Sequence, residues 1–94
     1  MDKIKVSGTN NKHKVLMYAI CTCGWCRSTK QFFKDNKIEF EYVDVDLCTR
    51  EDLELVHRDI KKRGGPFSYP TIIIDDKTLI TGFRKDEIKE ALEI

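Results

Sequence analysis

Val15-Leu16-Met17-Tyr18-Ala19-Ile20 is an unbroken apolar run that leads straight into cysteines at 21, 23 and 26. A run of this length reads as a central β-strand covered on both faces. Even with Cys21 it spans Val15–Cys21, far short of the about 20 residues a membrane-crossing helix needs. From Trp25 to Asp35 the pattern becomes helical: Trp25, Thr29, Phe32 and Phe33 share a face, with Arg27, Lys30 and Lys34 elsewhere. A buried strand therefore hands over to an amphipathic helix at a cysteine cluster, which commits the chain to an α/β architecture.

The remaining elements follow the same reading. Asn36-Lys37 closes the first helix, and Phe40–Asp44 alternates as a strand. Thr49 with Asp52 forms a loose capping box for a helix that places Leu53, Val56, His57 and Ile60 on one side and stops at Gly64-Gly65-Pro66. Thr71–Ile74 and Thr78–Ile80 make a hairpin across Asp75-Asp76-Lys77. A last helix, Asp86 to Glu93, buries Ile88, Ala91 and Leu92, with Asp86 and Glu87 in its first turn, where the helix dipole favours them. The order β-α-β-α-β-β-α implies a mixed four-stranded sheet flanked by helices on both faces. Residues 1–12 contain the short Ile4–Val6 segment, which reads as an edge strand or a loose arm. Residues 1–94 form one domain, with no repeat or linker. A single core of that size buries roughly 60–65% of the unfolded surface.

Charge excludes whole classes of function. Lys+Arg total 17 against 16 Asp+Glu, a net +1, so neither a nucleic-acid binder nor an acidic solvating tail is expected. Met1-Asp2-Lys3-Ile4-Lys5 carries no apolar leader, and cytoplasmic residence is the expectation. No long hydrophobic seam is visible, which points to a monomer without a membrane partner.

The cysteines carry the chemistry. A secreted disulfide framework spreads its cysteines to close long loops; Cys21, Cys23 and Cys26 crowd into six residues, as for redox chemistry or metal binding. Cys23 falls at the start of the helix, where unpaired N–H groups and the positive dipole end stabilise a thiolate. Such a site can lower a thiol pKa from about 8.5 to roughly 3.5–7.5. Arg27 and Lys30 add positive charge. Cys26, one turn on, suits a resolving role: Cys23 attacks a substrate disulfide, and Cys26 then attacks Cys23 and releases reduced substrate. Gly24 reads as a flexible turn. Trp25 reads either as a flat contact surface beside the sulfurs or as ordinary packing.

Ligand spacing argues against a zinc site. Cys23, Cys26, Cys48 and His57 would give C-x₂-C-x₂₁-C-x₈-H, which matches no usual zinc spacing, so no metal is assigned. Cys21 reads as a small apolar residue at a strand end, with exchange against Cys23 as the alternative. Cys48 reads as packing beside the Thr49 cap, His57 as a core histidine, and His13 as part of a solvated basic strand entry.

The strand ending in Cys23-Gly24-Trp25-Cys26, the Tyr69-Pro70-Thr71 step and Thr81-Gly82-Phe83 together resemble the glutaredoxin branch of the thioredoxin superfamily, over residues 13–94. The resemblance implies a thioredoxin-like fold in which the bond before Pro70 is cis and that proline packs against the active-site sulfurs. It also implies that Tyr69 offers its backbone to a substrate chain docking as an added strand. Glutathione-dependent members carry a basic residue where this chain has Ile20, and a Gly-Gly with an acidic pair before the last helix. Thr81-Gly82-Phe83-Arg84-Lys85-Asp86 is more similar to the NrdH type of redoxin, which takes electrons from thioredoxin reductase. Arg27, Lys30 and the backbone at Gly82 could still hold a carboxylate. Glutathione, another low-molecular-weight thiol and a reductase therefore all stand as electron donors. Some glutaredoxins instead bridge a [2Fe–2S] cluster between two protomers, a reading compatible with Gly24 in place of the usual active-site proline.

The expectation is a cytosolic dithiol–disulfide oxidoreductase acting on protein disulfides without a required cofactor. Cys23 is the nucleophile and Cys26 the resolving thiol, with substrate contacts from Trp25, Tyr69, Pro70, Gly82, Arg27 and Lys30. Its potential should lie roughly between −200 and −270 mV.

Overall fold

Burial of the whole run Val15–Ala19 decides the architecture: all five side chains are inaccessible, so this strand needs cover on both faces. In the computed structural model, which describes residues 2–94, the elements are β1 (Ile4–Val6), β2 (Val15–Ala19), α1 (Gly24–Asp35), β3 (Phe40–Asp44), α2 (Arg50–Lys62), β4 (Thr71–Ile74), β5 (Thr78–Thr81) and α3 (Lys85–Leu92). The sheet has five strands in the order β1-β3-β2-β4-β5. Only β2 and β3 run parallel, joined through α1; the other neighbours are antiparallel.

Alternation along β2 divides the core. Val15, Met17 and Ala19 face α1 and α3, packing with Cys26, Phe32, Phe33, Ile72, Ile88 and Leu92. Leu16 and Tyr18 face α2 and meet Val43, Val56, Ile60 and Ile73. The Tyr18 hydroxyl donates to Asp59 Oδ2 at 2.6 Å, so this buried phenol is satisfied. Thr49 caps α2 as its motif implied, its hydroxyl accepting the Asp52 N–H at 3.1 Å.

The expected four strands become five because Ile4–Val6 is an edge strand, pairing antiparallel with β3 from Ile4↔Tyr42 to Val6↔Phe40. What holds it is backbone proximity. Asn10 N–H donates to Lys37 O at 2.8 Å and Glu39 N–H to Asn10 O at 2.9 Å. Gly8 lies so close to this turn that a Cβ would sit 2.4 Å from Lys37 O and 2.7 Å from Glu39 N. Gly8→Ala should therefore cost about 1–3 kcal/mol by forcing backbone apart. Hydrogen exchange should then quicken at β1 and Asn10 while β2 and β4 stay protected. Unchanged protection at β1 would show that the strand does not depend on this approach.

At the other end of the sheet, Asp75 and Asp76 both have positive φ, 55° and 60°, the geometry of a type I′ hairpin turn. His13 was expected to be solvated, but its side chain is only 13% exposed and lies between Asp75 (2.7 Å) and Glu93 (3.0 Å). The Lys14 N–H donates to Asp75 Oδ1 at 3.0 Å. These carboxylates tie the entry of β2 to the hairpin and to the end of α3.

Candidate active site

The step from β2 to α1 is a tight turn in which Cys23 N–H donates to Ile20 O at 3.0 Å. Cys23 is the N-cap of α1, with extended backbone (φ −78°, ψ 122°). Its sulfur takes the place of the usual capping oxygen and accepts the Cys26 N–H at 3.4 Å. The first turn of α1 contains no acidic residue. Partial burial works against a Cys23 thiolate, but the N–H groups of Cys26 and Trp25, the Cys26 thiol and the Arg27 charge outweigh it, and the thiol falls below its ordinary range. Gly24 needs no glycine conformation, and a Cβ there would meet open space; nothing in the structure explains its choice.

Cys26 is opposite in burial and acidity. It is fully buried, and its sulfur accepts the Ile20 N–H at 3.5 Å. Burial first, then the neighbouring Cys23, push this thiol up to about 12. All four cysteines are free thiols. The thiol at the helix tip is the more acidic of the Cys23–Cys26 pair, and its partner is held protonated one turn behind.

Two acidic residues at the C-terminal end of β3 complete the surroundings. Asp44 accepts from Lys30 Nζ at 2.9 Å, and the same ammonium sits 4.0 Å from the centre of the Tyr42 ring. Both members of this pair are largely buried, so Lys30, expected among the substrate contacts, is committed to the protein interior instead. Asp46 accepts twice from Cys21, from its backbone N–H at 3.0 Å and from its thiol at 2.8 Å. Cys21 is thus a part-exposed hydrogen-bonded thiol rather than a packed apolar residue.

A shallow groove is lined by Trp25, Ser68, Tyr69, Gly82 and Phe83. The helical period placed Trp25 with Thr29, Phe32 and Phe33; those three are buried, whereas Trp25 is 66% exposed. Its ring lies 6.4 Å from Phe83, which in turn meets Phe32 at 5.8 Å. The Tyr69–Pro70 bond is cis and Pro70 is buried. Pro70 O accepts the Gly82 N–H at 2.8 Å, and Gly82 has φ 85°, a conformation that favours glycine. Among the described residues no backbone–backbone bond outside the strands engages Tyr69. Arg27 lies exposed on α1. Phe83, Ser68 and Asp46 were missed as site residues; adjacency to Gly82 was the one signal that pointed to Phe83.

Among the described residues, no group of three or more His, Cys, Asp or Glu side chains is placed to hold a metal ion. No helix among them is long and apolar enough to cross a membrane.

Comparison with known proteins decides the family. The sequence model of the family described as Glutaredoxin matches residues 15–79. The chain belongs to the glutaredoxin family. This glutaredoxin is 36% identical over 81 residues to an uncharacterized glutaredoxin-like 8.6 kDa protein in the rubredoxin operon of Clostridium pasteurianum, covering 84% of this chain and 97% of that one. Among solved structures it is similar to the glutaredoxin from Methanosarcina mazei Go1, with TM-score 0.89 and 36% identity over 98% of this chain and 88% of that one. It is also similar to Methanosarcina acetivorans methanoredoxin, with TM-score 0.81 and 37% identity over 86% of this chain and 85% of that one. The matched span of the glutaredoxin family contains Cys23, Cys26 and Pro70 and ends before Gly82 and α3.

Proposed function

We propose that this glutaredoxin is a dithiol–disulfide oxidoreductase that reduces disulfides in protein partners. One observation carries the reading: Cys23 caps α1 with its sulfur on the Cys26 N–H at 3.4 Å, while Cys26 waits, buried and protonated, one turn behind. The thiolate, not the thiol, is the nucleophile. Cys23 Sγ attacks one sulfur of the substrate disulfide, forming a mixed disulfide and releasing the other sulfur as a thiolate. Cys26 then attacks Cys23 Sγ, forming the Cys23–Cys26 disulfide and releasing the second substrate thiolate. Forming the mixed disulfide also removes the Cys23 charge, which is one cause of the high Cys26 value, so resolution becomes easier once attack has occurred. Trp25 and Phe83 form an apolar wall, and the free Tyr69 backbone offers an edge for an extended substrate chain.

The donor we favour is a low-molecular-weight thiol other than glutathione, or a thioredoxin-type reductase. Of the two cations that could have held a glutathione carboxylate, Lys30 is occupied by Asp44, which leaves Arg27 alone.

With Cys26→Ser, oxidised insulin should accumulate as a covalent adduct on Cys23, stable until reductant is added. Adducts confined to Cys21 or Cys48 would overturn the assignment of roles. Wild-type turnover should be faster with a reductase or another low-molecular-weight thiol than with glutathione.

A further inference from the structure

Three thiols within six residues pose a chemical problem, because a mixed disulfide on Cys23 can be attacked from either side. Cys26 is on one side, fully buried; Cys21 is on the other, part-exposed and in the same turn, closed by Cys23 N–H on Ile20 O at 3.0 Å. We infer that Asp46 excludes Cys21 from the exchange reaction, its carboxylate pinning the Cys21 thiol as a hydrogen-bond donor so that Cys26 alone resolves the mixed disulfide. The inference rests on the dithiol reading above and adds a residue that decides which sulfur completes it.

The geometry is a two-point clamp. Asp46 Oδ1 accepts the Cys21 N–H at 3.0 Å and Oδ2 accepts its S–H at 2.8 Å. An ionised carboxylate can only accept, so the sulfur facing it must keep its proton to make the contact. The clamp is built into the scaffold, because Val45 N–H donates to Ala19 O at 2.8 Å and Leu47 N–H to Asp44 O at 3.0 Å, fixing the loop on both sides of Asp46. The charges around Cys21 act in one net direction. Asp46 raises the thiol, first through the hydrogen bond, and Asp44 adds to it; the opposing Lys30 is the ammonium already paired with Asp44. Asp46 itself is lowered, first by the Cys21 thiol, and so stays ionised as a clamp must.

Asp46→Asn separates the two points. The amide oxygen can still accept the Cys21 N–H and hold the turn, but the atom facing the sulfur becomes an N–H donor, which favours thiolate over thiol. In the Cys26→Ser background the insulin adduct on Cys23 should be long-lived. With Asp46→Asn added, Cys21 Sγ should attack Cys23 Sγ. A Cys21–Cys23 disulfide then forms, the Cys23–insulin bond breaks and insulin leaves as a thiolate, two protein thiols being oxidised as one substrate disulfide is reduced. Adduct lifetime should shorten by about threefold or more, because each unit of thiol acidity regained raises the thiolate fraction about tenfold and lowers its nucleophilicity about threefold. Adding Cys21→Ser should restore it.

An adduct equally persistent with and without Asp46→Asn would overturn the inference. So would a Cys21–Cys23 disulfide arising in Cys26→Ser alone. A second readout needs no exchange: iodoacetamide labelling of the reduced protein, mapped by peptide fragmentation. Cys21 should label about threefold or more faster in Asp46→Asn than in wild type, and an unchanged rate would contradict the clamp. If Cys26→Ser forms no adduct while labelling responds as expected, the dithiol reading fails and the clamp stands.

Discussion

Phe33→Ala should lower the melting temperature by tens of degrees, the largest stability effect expected of any single truncation on α1. Phe33 is completely buried, with its ring 6.0 Å from Phe32 and 5.0 Å from Phe40, so it fastens α1 to β3. Emptying such a site costs about 3–5 kcal/mol. That is a large part of the about 5–15 kcal/mol that holds a small domain together, and each kcal/mol moves the midpoint by about 4–8 °C at this size. The same helix presents the N–H groups that stabilise Cys23 and buries Cys26, so the variant should also lose the difference in acidity between the two. Thermal unfolding followed by circular dichroism checks the first effect. A drop of less than about 5 °C would mean that the α1–β3 contact is not central to the core.

In the reduced protein at neutral pH, iodoacetamide should alkylate Cys23 faster than Cys26 by more than about thirtyfold, the gain in thiolate fraction less the loss of nucleophilicity. Cys26, pushed up to about 12 by burial and by the Cys23 charge, has almost no thiolate to offer, and its sulfur is inaccessible. Cys23 lies below the ordinary thiol range and is partly accessible at the helix tip. Cys48 is raised by burial and donates to Val45 O at 3.1 Å, so it should lag as well. Comparable labelling of Cys23 and Cys26 would mean that the pair is not differentiated and that the order of attack and resolution has no structural basis.

Local patterns carried most of the architecture. The apolar run of β2, the period of α1, the Thr49 cap and the hairpin at Asp75-Asp76 are each decided by neighbours in sequence, and they appear where those patterns place them. Cys23 and Cys26 were legible for the same reason: a helix N-terminus is a local feature with local chemistry. Contacts closed by the β2-α1-β3 crossover were not. Lys30 reads as a free surface cation until the crossover brings Asp44 against it. Cys21 reads as a strand-end packing residue until the loop after β3 delivers Asp46. Trp25 keeps helical phase with Thr29 and Phe32, but phase does not tell that it stays exposed in the first turn while they are buried. The edge strand at Ile4–Val6 depends on Gly8 fitting against the Lys37–Glu39 backbone, a close approach that no pattern in residues 1–12 announces.

Thiol exchange here turns on the acidity of Cys23, and the pH dependence of its alkylation reads that acidity directly. The rate should rise with pH as thiolate forms and level off once ionisation is complete, with a midpoint below the about 8.5 of an unstructured cysteine. Arg27→Ala should move that midpoint upward, because the guanidinium is one of the groups that lower it. A Cys23 midpoint at or above 8.5, the ordinary value, would contradict the central claim.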